Sequence, residues 1–151
     1  MPNHTISYRL ANIEDAPLLA EMNQQLIQDE GSANPMKLNQ LVERMTAFLQ
    51  TEWQAAILLR NDEPVGYALY QERSQNHRPE QTEVFIRQYV IDRRYRQQGL
   101  GRQGLAMLEE KLFPHGCNLA IDVLQQNEAG RAFWSSIGFK PYSIHMKKET
   151  D

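Results

Sequence analysis

Between Tyr89 and Gly104 the chain reads Tyr-Val-Ile-Asp-Arg-Arg-Tyr-Arg-Gln-Gln-Gly-Leu-Gly-Arg-Gln-Gly, and no other run limits the fold as much. A β-rich apolar stretch ends in a basic loop, glycines follow, and Leu105, Leu108 and Leu112 resume at helical spacing. A strand therefore runs through a loop into a helix. Gly99 and Gly101 lack a Cβ, which permits positive φ and close approach of a ligand to the backbone. Free N–H groups of the loop and first helical turn point at one spot, where the helix dipole favours an anion. Arg93, Arg94, Arg96 and Arg102 belong to a chain with 16 basic and 19 acidic residues and a net charge of −3. One dense basic segment in an acidic chain suits a local anion such as a pyrophosphate. It opposes a nucleic-acid or membrane-surface partner, which would need a broad basic face.

The rest of the pattern surrounds that unit. Thr5–Leu10 alternates as a half-buried strand, and Asn12 or Asp15 caps a helix reaching about Asp29. Leu38, Leu41, Val42, Met45, Phe48 and Leu49 mark a second amphipathic helix. Trp53–Arg60 and Val65–Glu72 form a hairpin around Asn61–Pro64. The polar stretch Ser74–Gln81 separates them from a long strand, Thr82–Ile91. The basic loop Asp92–Gln98 leads to a helix from about Gly99 to Leu112, a strand over Leu119–Leu124 and a helix over Asn127–Ile137. The tail Phe139–Lys147 supplies a last strand or hairpin. The order β-α-α-β-β-β-α-β-α-β predicts an α/β fold with a mixed sheet covered by helices. At 151 residues, with no internal repeat or linker, 1–151 reads as one domain.

Cys117 is the one cysteine and cannot form an internal disulfide, while His4, His77, His115 and His145 are too dispersed for a local metal motif. The N-terminus lacks an apolar signal core, and no stretch approaches 18 apolar residues. The expectation is a reduced, cytoplasmic protein without a metal.

Three readings of the glycine loop fit the residues. It can be a helix start with packing glycines and a solvated basic face. Gly99-x-Gly101-x-x-Gly104 also matches a dinucleotide fingerprint, with Asp122 near the ribose-binding offset. However, the whole stretch Asp92–Gln98 separates the strand from the first glycine, and too little chain follows Gly104 for two mononucleotide halves. The third reading uses the entire segment. Arg96-Gln97-Gln98-Gly99-Leu100-Gly101 resembles the R/Q-x-x-G-x-G/A motif of the GCN5-related N-acetyltransferases, the GNAT superfamily. Asn127-Glu128-Ala129-Gly130-Arg131-Ala132-Phe133-Trp134-Ser135-Ser136-Ile137-Gly138-Phe139 resembles that family's second signature, N-x-x-A-x-x-F/L-Y-x-x-x-G-F. The spacing and the element order also agree, so the likeness covers nearly the whole chain.

The resemblance implies a mixed, mostly antiparallel sheet splayed between its fourth and fifth strands and flanked by helices. It implies acetyl-CoA as cosubstrate, with pantetheine bonded to main-chain groups of Tyr89, Val90 and Ile91 and pyrophosphate held by the N–H groups of Gln97, Gln98, Gly99, Leu100, Gly101 and Arg102. Arg96 and Arg102 could reach phosphates, whereas Arg93 and Arg94 are as readily solvated. Asn127 would sit near the pantetheine arm or cap its helix, and Gly130 holds the family's small-residue position. Phe133 and Trp134 would pack on the cofactor arm or in the core.

Trp134 departs from the family, whose frequent general acid is a Tyr at that position. An indole cannot protonate a thiolate, but a thiol of pKa near 8.5 loses only about 2 kcal/mol by leaving as thiolate at pH 7. Solvent or another group such as Tyr142 could supply the proton. Deprotonating a lysine-like ammonium costs more, roughly 4.6 kcal/mol at pH 7, so a base matters more than an acid. Asp122 lies at an offset similar to the catalytic carboxylate of the family's ribosomal-protein alanine acetyltransferases, and it could equally pair with an arginine. Glu83 is the second candidate base, alternating with Phe85, Arg87 and Tyr89 on one strand face. Asp29 and Glu30 could attract a cationic amine. The implied activity is direct N-acetylation of a small-molecule or peptide amine; the alternative is a weakly catalytic CoA-binding or partner-binding module. Relatives are often dimers, which makes a homodimer an expectation here.

Overall fold

Polar residues fix the way into the first helix. The computed structural model describes residues 5–31, 33–75 and 78–151. Strand β1 (Ile6–Leu10) reaches helix α1 (Ala16–Asp29) through a 3-10 turn, Ile13–Asp15. Asn12 Oδ1 accepts from the Glu14 N–H and the Asp15 carboxylate accepts from the Asn12 N–H, each at 2.9 Å. Arg9 of β1 donates twice to Asp15, also at 2.9 Å, tying the start of the helix back to the strand. The Arg9 hydrogen bonds hold the Asp15 carboxyl below its usual range.

Helix α2 (Leu38–Leu49) buries Leu41 and Met45. Strands β2 (Gln54–Arg60) and β3 (Glu63–Gln75) join through Asn61 and Asp62, whose φ values of 53° and 64° are those of a tight hairpin turn. Strand β4 (Arg78–Ile91), helix α3 (Leu100–Lys111), strand β5 (Asn118–Ile121) and helix α4 (Glu128–Ser136) complete the elements. The sheet order is β1-β2-β3-β4-β5, with β5 parallel to β4 and the other pairs antiparallel. On one face Leu19 and Met22 of α1 and Met45 of α2 pack on Ile57, Tyr67, Leu69 and Val90. On the other, Leu100, Leu105 and Leu108 of α3 pack on Leu58, Ala68, Tyr70, Val84 and Ile86. The mixed sheet between helices is the expected one.

Two features of β4 shape the site. Leu69 pairs with Gln88 but the next residue, Tyr70, pairs with Ile86, so Arg87 is an extra, bulged residue. The bulge turns both Arg87 and Gln88 toward α1 and α2 and sends Tyr89 to the α3 face. Glu83, Phe85 and Arg87 therefore share a face, but Tyr89 does not join them as expected. Secondly, β5 pairs with β4 only from Glu83↔Asn118 to Ile86↔Ile121. Beyond that point the strands part, and Arg87–Ile91 keeps a free edge on that side.

Other expectations need correction. The polar stretch 74–81 is not a separator: β3 and β4 extend into it and pair at Ser74↔Thr82 and Gln75↔Arg78, with residues 76 and 77 outside the described set. Polarity there reflects a hairpin end beyond the helices, where a backbone ladder needs no apolar face. Strand β5 ends at Ile121 rather than Leu124, since β4 has turned away. The tail from Phe139 forms no strand or hairpin: Tyr142, Ile144 and Met146 are 94%, 86% and 85% exposed. Alternation alone makes no strand without an edge to bond, and Pro141 contributes no N–H. His4 and His77 lie outside the described residues. Among those residues no helix is long and apolar enough to cross a membrane.

Candidate active site

The loop after β4 is clipped on both sides. The Asp92 N–H donates to the Val65 carbonyl at 2.8 Å, and Asp92 Oδ1 accepts from the Arg94 N–H at 3.0 Å. Arg96 Nε donates to the Ile91 carbonyl at 2.9 Å while its Nη1 lies 2.5 Å from Asp29. Arg93 donates to Gln28 at 2.7 Å and pairs with Asp29 at 3.3 Å, and its N–H donates to Gln25 at 3.0 Å. The end of α1 thus holds the loop against the end of β4. Asp29, expected to attract an amine, instead neutralises two arginines. Arg93 and Arg94 are paired rather than merely solvated, Arg94 with Asp92 at 3.2 Å. Arg96 serves the loop itself, and Arg102 is exposed, with Nη2 3.4 Å from the Ser136 carbonyl.

Gln97 and Gly99 adopt φ of +63° and +74°, folding the loop back so that it leads into α3. Among the described residues none of the N–H groups from Gln98 to Arg102 donates to a backbone carbonyl; the first to do so is Gln103, to Gly99 at 3.1 Å. A row of unpaired N–H groups at the positive end of a three-turn helix is an anion cradle. Gln98 Oε1 accepts from Arg60 at 2.6 Å, beside a cleft of about 400 Å³ lined by Arg60, Asn61, Leu100 and Gln103.

The glycines of this helix serve packing as well. A Cβ on Gly101 would stand 3.2 Å from the Phe133 ring. On Gly104 it would stand 2.6 Å from the Tyr89 hydroxyl, which donates to the Gly101 carbonyl at 2.6 Å. The third glycine of the literal dinucleotide fingerprint is thus set by helix-on-sheet contact. The Tyr89 hydroxyl, missed in the sequence because only its main chain drew notice, locks β4 to the first turn of α3. Burial pushes its pKa far up, so it stays a donor.

The second signature closes the fork. Asn127 caps α4, its Oδ1 accepting from the Gly130 N–H at 3.0 Å. A Cβ on Gly130 would collide with Asn127 Nδ2, so the small residue protects the cap. Phe133 and Trp134 lie 6.5 and 5.6 Å from the Tyr89 ring, and Trp134 lies 5.0 Å from Phe139. Trp134 is one of a half-buried aromatic group between β4 and α4.

The free edge of Tyr89, Val90 and Ile91, the N–H row of Gln98 to Arg102 and helix α4 with its Asn127 cap are brought together. Asp122 follows β5 where the strands part; it is exposed and makes no hydrogen bond or ion pair among the described residues. The alternative pairing of Asp122 with an arginine is not seen. Glu83 is half-buried further back on β4, opposite Arg73 and Asn118. Tyr142 lies out on the exposed tail. Glu30 is half-buried, its carboxyl raised by burial and by neighbouring Asp29.

On the opposite face lies a polar cluster that sequence reading did not find. Tyr67 Oη donates to Gln88 Oε1 at 2.7 Å, and Arg44 donates to the buried Asn23 Oδ1 at 2.8 Å. Its signal was Asn23, a polar residue set among Leu19, Met22 and Leu26 on the apolar stripe of α1.

The fold recurs in solved acetyltransferases. One from Thermus thermophilus superposes with a TM-score of 0.71 at 24% identity, over 93% of this chain and 90% of that one. A predicted acetyltransferase from Clostridium acetobutylicum, solved with acetyl-CoA, gives 0.71 at 15% identity over 96% of each chain. An aminoglycoside acetyltransferase from an uncultured soil metagenomic sample, in complex with sisomicin, gives 0.66 at 14% over 100% of both. No curated protein matches the chain. The acetyltransferase (GNAT) family model matches residues 20–139, from within α1 through both signatures, and the chain belongs to that family.

Proposed function

We propose that this protein is an acetyl-CoA-dependent N-acetyltransferase that passes the acetyl group directly to a primary amine. The observation that carries the reading is the row of unpaired N–H groups from Gln98 to Arg102, set at the end of the free edge of β4. Those N–H groups fit a pyrophosphate, with Arg102 within reach of its outer oxygens. The edge of Tyr89, Val90 and Ile91 fits an amide-bearing arm laid alongside as an added strand. When bound, acetyl-CoA supplies an activated thioester carbonyl, which a main-chain N–H near Ile91 would polarise.

Asp122 is the preferred base, acting through a water since its side chain is short, and Glu83 is the second choice. Removing a proton from the amine is the larger demand, roughly 4.6 kcal/mol at pH 7. Release of the thiolate asks only about 2 kcal/mol, which solvent or Tyr142 can meet. Trp134 packs beside Tyr89 and takes no proton role. Cys117 is not a nucleophile: burial pushes its thiol pKa up, and it lies with His115 and Thr82 at a cleft by the far end of β4. The open edge of β5 and the exposed apolar tail support a homodimer, which sedimentation at two concentrations tests.

Calorimetry with acetyl-CoA, followed by thiol release across an amine panel, tests the reading. Saturable binding and turnover with any amine are expected; no heat at millimolar ligand would sink it. Trp134 at the family's acid position favours one rival, a CoA-binding module without catalysis. That rival predicts binding with no turnover.

A further inference from the structure

The face of β4 turned toward α1 and α2 carries arginines of a different kind from those of the loop. Arg9, Arg93, Arg94 and Arg96 each stand within ion-pair distance of an aspartate. Arg44 of α2 and Arg87, the bulged residue, have no carboxylate at that distance among the described residues. Both guanidiniums stack on Phe48, at 5.6 and 5.0 Å from its ring, and Arg87 also lies 5.4 Å from the Trp53 ring. The Nε of Arg44 is buried without a hydrogen-bond partner among the described residues, although Asn23 holds another nitrogen of the same group. Nearby acids do not supply the missing charge. Asp29 is taken by the loop, and Glu30 is half-buried with its carboxyl raised by burial and Asp29. Burial and the charge of Arg87 together push the Arg44 guanidinium below its ordinary pKa.

The location ties this pair to the reaction. Ile86↔Ile121 is the last pairing of β4 with β5, so Arg87 and Asp122 are the next residue on each strand, where the fork opens. A cation and a carboxylate thus flank the mouth. Phe48, Trp53 and Phe85 continue the same surface as an aromatic floor, with successive ring centroids 5.9 and 6.2 Å apart.

We infer that the acceptor is a small amine that also bears a carboxylate, and that Arg87, supported by Arg44, is the residue that recognises it. This rests on the acetyltransferase reading and names its substrate class. The amine faces Asp122, the carboxylate bridges to the guanidiniums, and an apolar body lies on the aromatic floor. A guanidinium on an aromatic face presents its N–H edge to a carboxylate in fixed geometry. The same charge disfavours a polycationic acceptor.

Thiol release with phenylalanine, leucine and lysine, each beside its methyl ester, and with a polycationic aminoglycoside provides the test. The free acids should exceed their esters at least tenfold in kcat/KM, and the aminoglycoside should be poorest. Arg87→Gln should reduce the acid-over-ester ratio to below twofold, chiefly through KM, while acetyl-CoA affinity stays within twofold. Arg87 is exposed, so the variant keeps its fold, which a melting curve verifies. Esters or the aminoglycoside matching the acids, or equal losses for acid and ester in the variant, would overturn the proposal. Acetyl-CoA binding with no acid turned over, and none bound to the CoA complex by calorimetry, would overturn it as well. Failure to bind acetyl-CoA at all counts instead against the broader reading.

Discussion

The two faces of β4 are built on different principles. Toward α3 the working groups are backbone: unpaired N–H groups, a free strand edge, and glycines that let the helix lie on Tyr89 and Phe133. Toward α1 and α2 they are side chains from four separate elements: Arg44 bonded to Asn23, Tyr67 bonded to Gln88, and Arg87 beside Arg44 on the Phe48 ring. A backbone site can be shared by chains with little sequence in common, because peptide groups are the same in all of them. A side-chain site changes with each substitution. One face suits the part of a reaction common to a family, the other the part particular to one member.

If the division is right, damage on one face should leave the other alone. The largest effect belongs to Gly101→Trp, which drives an indole toward Phe133 and across the N–H row; acetyl-CoA affinity by calorimetry should fall at least 100-fold. Retained affinity would show that the cradle is not the binding site. Next comes Asp122→Asn, which should lower kcat by about 100-fold, as for a lost general base, with the acetyl-CoA Kd within twofold. Full activity would withdraw its role.

Smaller effects appear in stability. Gly104→Ala puts a methyl 2.6 Å from the Tyr89 hydroxyl and should cost about 1–2 kcal/mol by overpacking. Adding Tyr89→Phe removes the clash and should recover much of that loss in a denaturant titration; additive losses would mean that the contact does not limit the helix. The smallest effect concerns Asp92, 7% exposed. Burial pushes its carboxyl up, but the Arg94 N–H and guanidinium outweigh burial and hold it below the ordinary range. Its stabilisation is complete above its unfolded value, about 3.9, and is lost as pH falls through the lower folded value. Asn can still cap the Arg94 N–H but loses the pairing with the Arg94 guanidinium, so Asp92→Asn should cost about 0.5 kcal/mol at neutral pH. Its melting temperature should fall less than that of the wild type between pH 5 and 2; parallel curves would contradict the assignment.

Local features were legible in the chain because their causes are local. Asn61-Asp62 announced a hairpin, since Asn and Asp tolerate positive φ and the flanking residues alternate. Asn12 and Asn127 announced helix starts, since a short side chain next to unpaired N–H groups has one obvious use. The glycine loop was readable because the residues that make the cradle are neighbours. Arg93 and Arg96 were not, for nothing near them in sequence tells of Asp29 on α1. The bulge at Arg87 depends on how β4 is held by β3 on one side and released by β5 on the other. That extra residue moved Tyr89 off the expected face and placed Arg87 at the fork.

By itself the sequence determined the element order, the caps, the anion-binding turn and the family, all of which follow from contacts within a few residues or from motif spacing. Tertiary structure decided which charges remain available. Among the described residues it paired Arg93, Arg94 and Arg96, left Arg44 and Arg87 without carboxylates, and gave the tail of Tyr142 no edge to bond. Charge and alternation are properties of residues, but neutralisation and strand pairing belong to neighbours that only the folded chain brings together.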